Sequence, residues 1–168
     1  MLAILFIAAA SSMTATLPAC MPTVCFSPLG HCDAEVVRVL DGAQTSLDLA
    51  VYGLNRASIV DAIIRARARG VAVRLIVDKL QSHGQHEREP LARIVASGVP
   101  VKRNTRYLMH DKFVISDGLT VGLGSMNWTL QGVERNNENF MVMSCAPIAV
   151  EYAEAFASMW AAFPEVSQ

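Results

Sequence analysis

Along the middle of the chain, apolar and polar positions alternate between two periods. Residues 57–70, "ASIVDAIIRARARG", repeat their apolar side chains at helical spacing, end on Gly70 and carry Arg65, Arg67 and Arg69 in the last turns, where cations suit the helix dipole. The flanking segments "TSLDLAVYG" (45–53) and "VAVRLIVD" (71–78) are rich in β-branched and aliphatic residues, the second almost continuously apolar. Strand, helix, strand within some thirty residues predicts a βαβ unit with parallel strands and a right-handed crossover. Upstream, Val36, Val37, Val39, Leu40 and Ala43 share one helical face, and Asp33 is placed to cap that helix. Downstream the pattern predicts a polar loop over 79–89, a helix from Pro90 to Gly98, a short strand at "VPVKRN", a hairpin through 107–128, a strand at "ENFMVMS" and a closing helix in 146–163. The predicted class is α/β: a mixed β-sheet with helices packed on it.

Composition narrows the options. With 168 residues, 52% hydrophobic and 17% charged, the chain suits one globular domain with a sizeable core. The formal net charge of -1 removes the bulk basic footprint of a protein that coats nucleic acid, so any such contact must be local to a site.

The first nineteen residues contain an apolar run from Leu2 to Ala10 followed by small and polar residues, the shape of an export signal, although no Lys or Arg precedes the run. The expected division is therefore a signal over 1–19 and one domain over 20–168, exported to the periplasm or secreted. "LPAC" also resembles a lipoprotein box in which Cys20 would be lipidated, so membrane association through an N-terminal anchor or Cys20 is an alternative. Cys25 and Cys32 bracket the turn-forming "FSPLGH" and are candidates for a small disulfide loop. A zinc reading that adds His31 and Cys20 is an alternative but lacks a second Cys-x-x-Cys pair, and Cys145 reads as a buried strand residue.

The hairpin holds the candidate chemistry. Asp117-Gly118 between apolar runs signals a type I′ turn, because both central residues need positive φ. With those two at the turn, Ser116 opposes Leu119, His110 opposes Ser125 and Lys112 opposes Leu123, with Asn127 two residues beyond Ser125 on the same face. A nucleophile or base, a fixed cation and two neutral hydrogen-bonding groups are the parts needed to hold and attack a phosphate. Glu138, opening the next strand, is placed to orient the imidazole through its other nitrogen.

These residues carry a resemblance. "HDKFVISD" fits the His-x-Lys-(x)4-Asp signature of the phospholipase D superfamily, and "GLTVGLGSMN" continues it to Gly-Ser-x-Asn at the family's spacing. Over roughly residues 25–163 the chain is similar to the small exported bacterial endonucleases with one such motif. The resemblance implies that His110 forms a covalent phosphohistidine while Lys112, Ser125 and Asn127 hold the phosphate oxygens, that Glu138 steadies the imidazole, and that Asp117 is structural. It also implies a homodimer, in which a second copy of His110 serves as general acid and then base, and no metal or other cofactor. His83 and His86 in "HGQH" form only a weak metal motif.

Nucleic acid, DNA or RNA, is the expected substrate, with the loop over 79–89 and Lys102, Arg103 and Arg106 as a local positive rim. Phospholipid headgroup hydrolysis is the alternative, and a noncatalytic nucleic-acid-binding protein the third reading. Met126 and Trp128, where related endonucleases often carry Phe, are expected to bear on substrate contacts.

Overall fold

A computed structural model describes residues 20–164, so the expected export signal over 1–19 lies outside the described residues. Seven strands form one sheet: β1 (Thr23–Ser27), β2 (Ser46–Val51), β3 (Ala72–Asp78), β4 (Val101–Asn104), β5 (Lys112–Ser116), β6 (Thr120–Gly124) and β7 (Glu138–Ser144). Their order is β1-β7-β6-β5-β2-β3-β4. β2, β3 and β4 run parallel, and the remaining pairs are antiparallel. The βαβ unit and the mixed sheet are as the pattern predicts.

Helices α1 (Cys32–Gly42), α2 (Ala57–Ala68), α3 (Arg88–Ala96), the short α4 (Leu130–Glu134) and α5 (Ala146–Ala162) complete the domain. The sheet separates two apolar cores. On one face Val36, Leu40, Ile59, Ile63 and Ile94 of α1 to α3 pack on Leu47, Leu49, Leu75 and Val114. On the other, Ala149 and Phe156 of α5 pack on Ala50, Ile76, Phe113, Ile115 and Val121. β2 and β3 are covered on both faces, which is why their sequences are largely apolar; the interruptions within them, Asp48 and Arg74, lie opposite one another and form an ion pair at 2.7 Å. Among the described residues no helix is long and apolar enough to cross a membrane.

Four expectations are corrected. α1 begins at Cys32, with His31 preceding it in left-handed conformation (φ 49°). Asp33 does not cap it, because its carboxylate is drawn to Arg56 Nε at 2.8 Å and Ser58 Oγ at 3.1 Å. The hairpin register is offset by one residue. Asp117 and Gly118 do take positive φ and Leu119 N–H does close on Ser116 O, but Leu119 O accepts from Cys145, so the ladder starts at Ser116 with Thr120 and pairs Phe113 with Leu123. His110 is also not on a strand: β5 starts at Lys112, because Asp78 and Tyr52 engage the backbone just before it. Finally, Cys145 is not a plain buried residue but bonds to Cys20. Cys25 and Cys32 form the second disulfide, as their spacing suggests.

Candidate active site

The carboxyl ends of β1, β2, β3, β4 and β6 and the amino ends of β5 and β7 meet at one edge of the sheet. Open α/β sheets place their sites at such an edge. His110 sits there exposed, and Lys112, the first residue of β5, is 6% exposed.

Lys112 Nζ lies 3.0 Å from His110 Nδ1 and donates to His110 O. Tyr52, just past β2, packs on both: its ring centroid is 4.6 Å from that of His110 and 5.2 Å from Lys112 Nζ. The aromatic face stabilises the ammonium where burial has removed water. Burial lowers the Lys112 pKa, while Asp111 and Glu138 oppose the shift through their charge.

β6 supplies the next two groups. A Cβ at Gly124 would lie 2.2 Å from Asn139 O, so only glycine lets β6 approach β7 closely enough there. Just beyond it Ser125 Oγ donates to Glu138 Oε2 at 2.5 Å and accepts from Asn139 N–H at 3.1 Å. Glu138 Oε1 accepts from Asn136 Nδ2 at 3.0 Å. Among the described residues, then, the Glu138 carboxylate holds Ser125 and Asn136 rather than the His110 ring, and its influence on the motif is through charge on Lys112.

Asn127 lines a cleft of about 310 Å³ together with Tyr52, Gly53 and Asn136. Its Oδ1 is buried without a hydrogen-bond partner, and such a group costs about 1–3 kcal/mol unless something fills the role. Its neighbours Met126 and Trp128 are fully buried in the core, so the expected influence of these two on substrate contacts is corrected. They anchor the segment instead: Trp128 N–H donates to Gly53 O, and Asn55 N–H and Arg56 N–H donate back to Trp128 O. This clamp holds Asn127 beside Tyr52.

Asp117 lies at the opposite end of β5. Its carboxylate accepts from the backbone N–H of Gln44, Thr45 and Ser46 and from Thr45 Oγ1. Burial alone would raise its pKa, but these bonds outweigh it and hold the group at about 2. It ties the hairpin to the start of β2 and makes no hydrogen bond to His110, Lys112, Ser125 or Asn127.

Two positioning carboxylates escape sequence reasoning. Asp78, 3% exposed at the end of β3, accepts from Met109 N–H at 3.2 Å with one oxygen and from Leu80 and Gln81 N–H at 2.8 and 2.9 Å with the other. It fixes the residue before His110 to the loop after β3. Glu87, 5% exposed, accepts from Leu54 N–H at 2.7 Å and from the side-chain amides of Asn55 and Gln81. Burial raises its pKa against those bonds. The signal for Asp78 was available: a carboxylate ending an otherwise apolar buried strand, at the edge where sites form.

The expected positive rim is divided. Arg103 Nε donates to Ser82 Oγ near the site, while Lys102 donates to Trp160 O and stacks on that ring, toward α5. Arg106 lies over Tyr107. His83 Nδ1 is 2.6 Å from Lys79 O, and among the described residues no group of three or more His, Cys, Asp or Glu is arranged to hold a metal.

Comparison with known proteins agrees with this geometry. Residues 36–160 match the family model described as cardiolipin synthase, PLD-like domain. The mitochondrial cardiolipin hydrolase of Xenopus tropicalis is 32% identical over 149 residues, covering 85% of this chain and 69% of that protein. A phospholipase D of Rickettsia conorii is 29% identical over 79% of this chain and 66% of its own. The chain spans 60–69% of the length of the cardiolipin hydrolases it matches. Among solved structures, the phospholipase D family member Nuc from Salmonella typhimurium superposes with a TM-score of 0.86 and 27% identity, over 89% of this chain and all of that one. NucT from Helicobacter pylori shares the fold at a TM-score of 0.74 and 19% identity, over 86% of this chain and 98% of its own. With a family model matched over three quarters of its length and this motif geometry at the sheet edge, the chain belongs to the phospholipase D superfamily of phosphodiesterases.

Proposed function

We propose that the protein is a metal-independent endonuclease that cleaves phosphodiester bonds in DNA or RNA through a phosphohistidine. The observation that carries the reaction is the His110, Lys112 and Tyr52 cluster, a nucleophile beside a desolvated cation at a solvent-open edge. Nδ1 of His110 faces Lys112, and Nε2 is the attacking nitrogen in the tautomer that carries the ring proton on Nδ1, which forms as the phosphate draws Lys112 away from the ring. As the Nε2–P bond forms, the P–O bond to the leaving group breaks and that oxygen takes a proton; water then attacks phosphorus, the N–P bond breaks, and the water proton passes to a base. Lys112, Ser125 and the Asn127 amide surround the phosphate oxygens and supply charge stabilisation that a divalent ion would otherwise give.

The proton donor comes from a second copy in this reading. The sequence contains one His-x-Lys motif, and exposed Leu80, Tyr107 and Leu108 stand on the two loops that Asp78 joins beside His110. Such apolar groups next to a nucleophile suit a twofold contact that brings two His110 side chains together. Both disulfides favour work in an oxidising compartment outside the cytoplasm.

Nucleic acid is preferred over lipid because the cleft beside Asn127 is lined chiefly by amides, with His86, Glu87, Thr129 and Tyr52, and carries no aliphatic side chain to hold an acyl group. Phospholipid hydrolysis is the second reading, favoured by the names of the cardiolipin hydrolase and phospholipase D relatives. Incubation with plasmid, single-stranded DNA, RNA and cardiolipin vesicles in excess chelator decides between them. Chelator-resistant nicking that disappears in His110→Ala is expected. Hydrolysis of vesicles alone would overturn the nuclease reading, and loss of activity in chelator the metal-free mechanism.

A further inference from the structure

The cleft beside Asn127 does not end at the catalytic centre. It is lined by Tyr52, Asn55, Gln81, Gln85, His86 and Gln131 among others, and a second hollow of about 530 Å³ adjoins it, sharing Asn55, His86 and Gln131 and continuing to Pro90, Leu130 and Arg135. The two hollows share that wall, so the trough they outline is lined from the nucleophile's neighbour Tyr52 to Arg135. A single phosphodiester does not need this length.

The side chains along it fall into two sets. Asn55 and Gln81 are committed to buried Glu87, and Asn55 Oδ1 accepts from Leu130 N–H, so these build the wall. Gln85, His86 and Arg135 make no side-chain hydrogen bond or ion pair among the described residues, so their hydrogen-bonding capacity is unspent at the trough. The acidic residue of the far hollow, Glu89, is paired with Arg93 at 3.7 Å, and Glu134 beside Arg135 is bonded to Arg56 at 2.6 Å. Leu130, 45% exposed, gives that hollow an apolar patch, with the buried Pro90 at its floor.

We propose that this trough is a flanking-nucleotide subsite: a base lies against Leu130, its edge meets Gln85 and Gln131, and the next phosphate is held by His86 and Arg135. The inference rests on the phosphodiesterase reading and adds to it that the substrate is a polynucleotide engaged at more than one phosphate. Alternating amides, an apolar patch and cations suit a chain that repeats base and phosphate; a diacyl lipid offers neither a second base edge nor a phosphate at that interval.

The test compares a 12-nucleotide single strand with bis(4-nitrophenyl) phosphate, a diester too small to reach Arg135. Arg135→Gln is expected to lower kcat/KM on the oligonucleotide relative to the small diester by about tenfold, the low end for a charge-assisted hydrogen bond. The slope of log KM against log salt should fall by about 0.7 for a single strand. Arg135→Lys should recover part of both effects, and His86→Gln should act in the same direction. An oligonucleotide-to-diester ratio indifferent to Arg135 and His86 overturns the subsite while leaving the catalytic reading intact. Inactivity on both substrates overturns that reading, and the subsite with it.

Discussion

Lys112 Nζ stands 3.0 Å from His110 Nδ1, so before substrate arrives the cation and the nucleophile are hydrogen-bonded to one another. An incoming phosphate competes with the imidazole for that cation. Lys112 must be charged to hold the phosphate, and burial lowers its pKa. Activity should therefore fall as pH rises through a value below the ordinary lysine range. In Lys112→Arg, which stays charged, the residual activity should lose that alkaline limb; kcat/KM against pH for both enzymes checks this. Lys112→Met should cost about 10²- to 10³-fold in kcat, as for other transition-state charge donors.

His110→Ala should leave the fold intact, because the ring is exposed and no core residue rests on it. Its turnover should fall by at least about 10³-fold, the scale seen when a nucleophile is removed. Acid-labile, base-stable phosphate on the wild type during turnover, and its absence in the variant, is the direct check by quench and mass measurement.

Asp78→Ala should act on position as well as stability. It leaves the N–H groups of Leu80, Gln81 and Met109 without their acceptor, at about 1–3 kcal/mol. Because Met109 precedes His110, kcat should fall more than KM rises, with Asp78→Asn recovering part of kcat. A purely structural role would show in denaturant melts and leave kcat of the folded fraction unchanged.

Asp117 gives a stability signature separate from catalysis. Its folded pKa of about 2 lies below the ordinary 3.8, so its contribution is complete above that value and is lost as pH falls toward 2. The group is exposed and solvent screens it, leaving on the order of 1 kcal/mol. Asp117→Asn should lower stability by about that amount at neutral pH, flatten the acid limb of unfolding free energy against pH, and change kcat little.

The Cys20–Cys145 bond closes a separation of 125 residues and ties the segment before β1 to the start of α5. Cys145→Ser should reduce unfolding free energy by about 2–4 kcal/mol, measured by denaturant titration with the Cys25–Cys32 pair left oxidised.

Much of this was legible in the chain. Helical and strand periods located α2, β2 and β3 because both faces of that part of the sheet are covered, and burial leaves mostly apolar runs, broken within only by the paired Asp48 and Arg74. The Asp-Gly turn was legible because positive φ at two successive residues restricts residue type. Register was not, because Leu119 O is engaged by Cys145, a residue the local pattern cannot see. Nor were the roles of Met126 and Trp128: a large side chain beside a site residue reads alike whether it faces substrate or core.

By itself the sequence determined the mixed α/β sheet, the His-x-Lys and Gly-Ser-x-Asn signature and the order of the elements other than the edge strand β1 and the short α4, since these follow from periodicity, turn chemistry and a signature with fixed spacing. Tertiary structure decided which groups meet: Tyr52 against His110 and Lys112, Glu138 on Ser125 and Asn136, Asp78 beneath Met109, and the trough out to Arg135. The physical reason is that these contacts join strand ends far apart in sequence. A carboxylate's partner is set by the sheet that brings those ends to one edge, and no local pattern of residues specifies that distance.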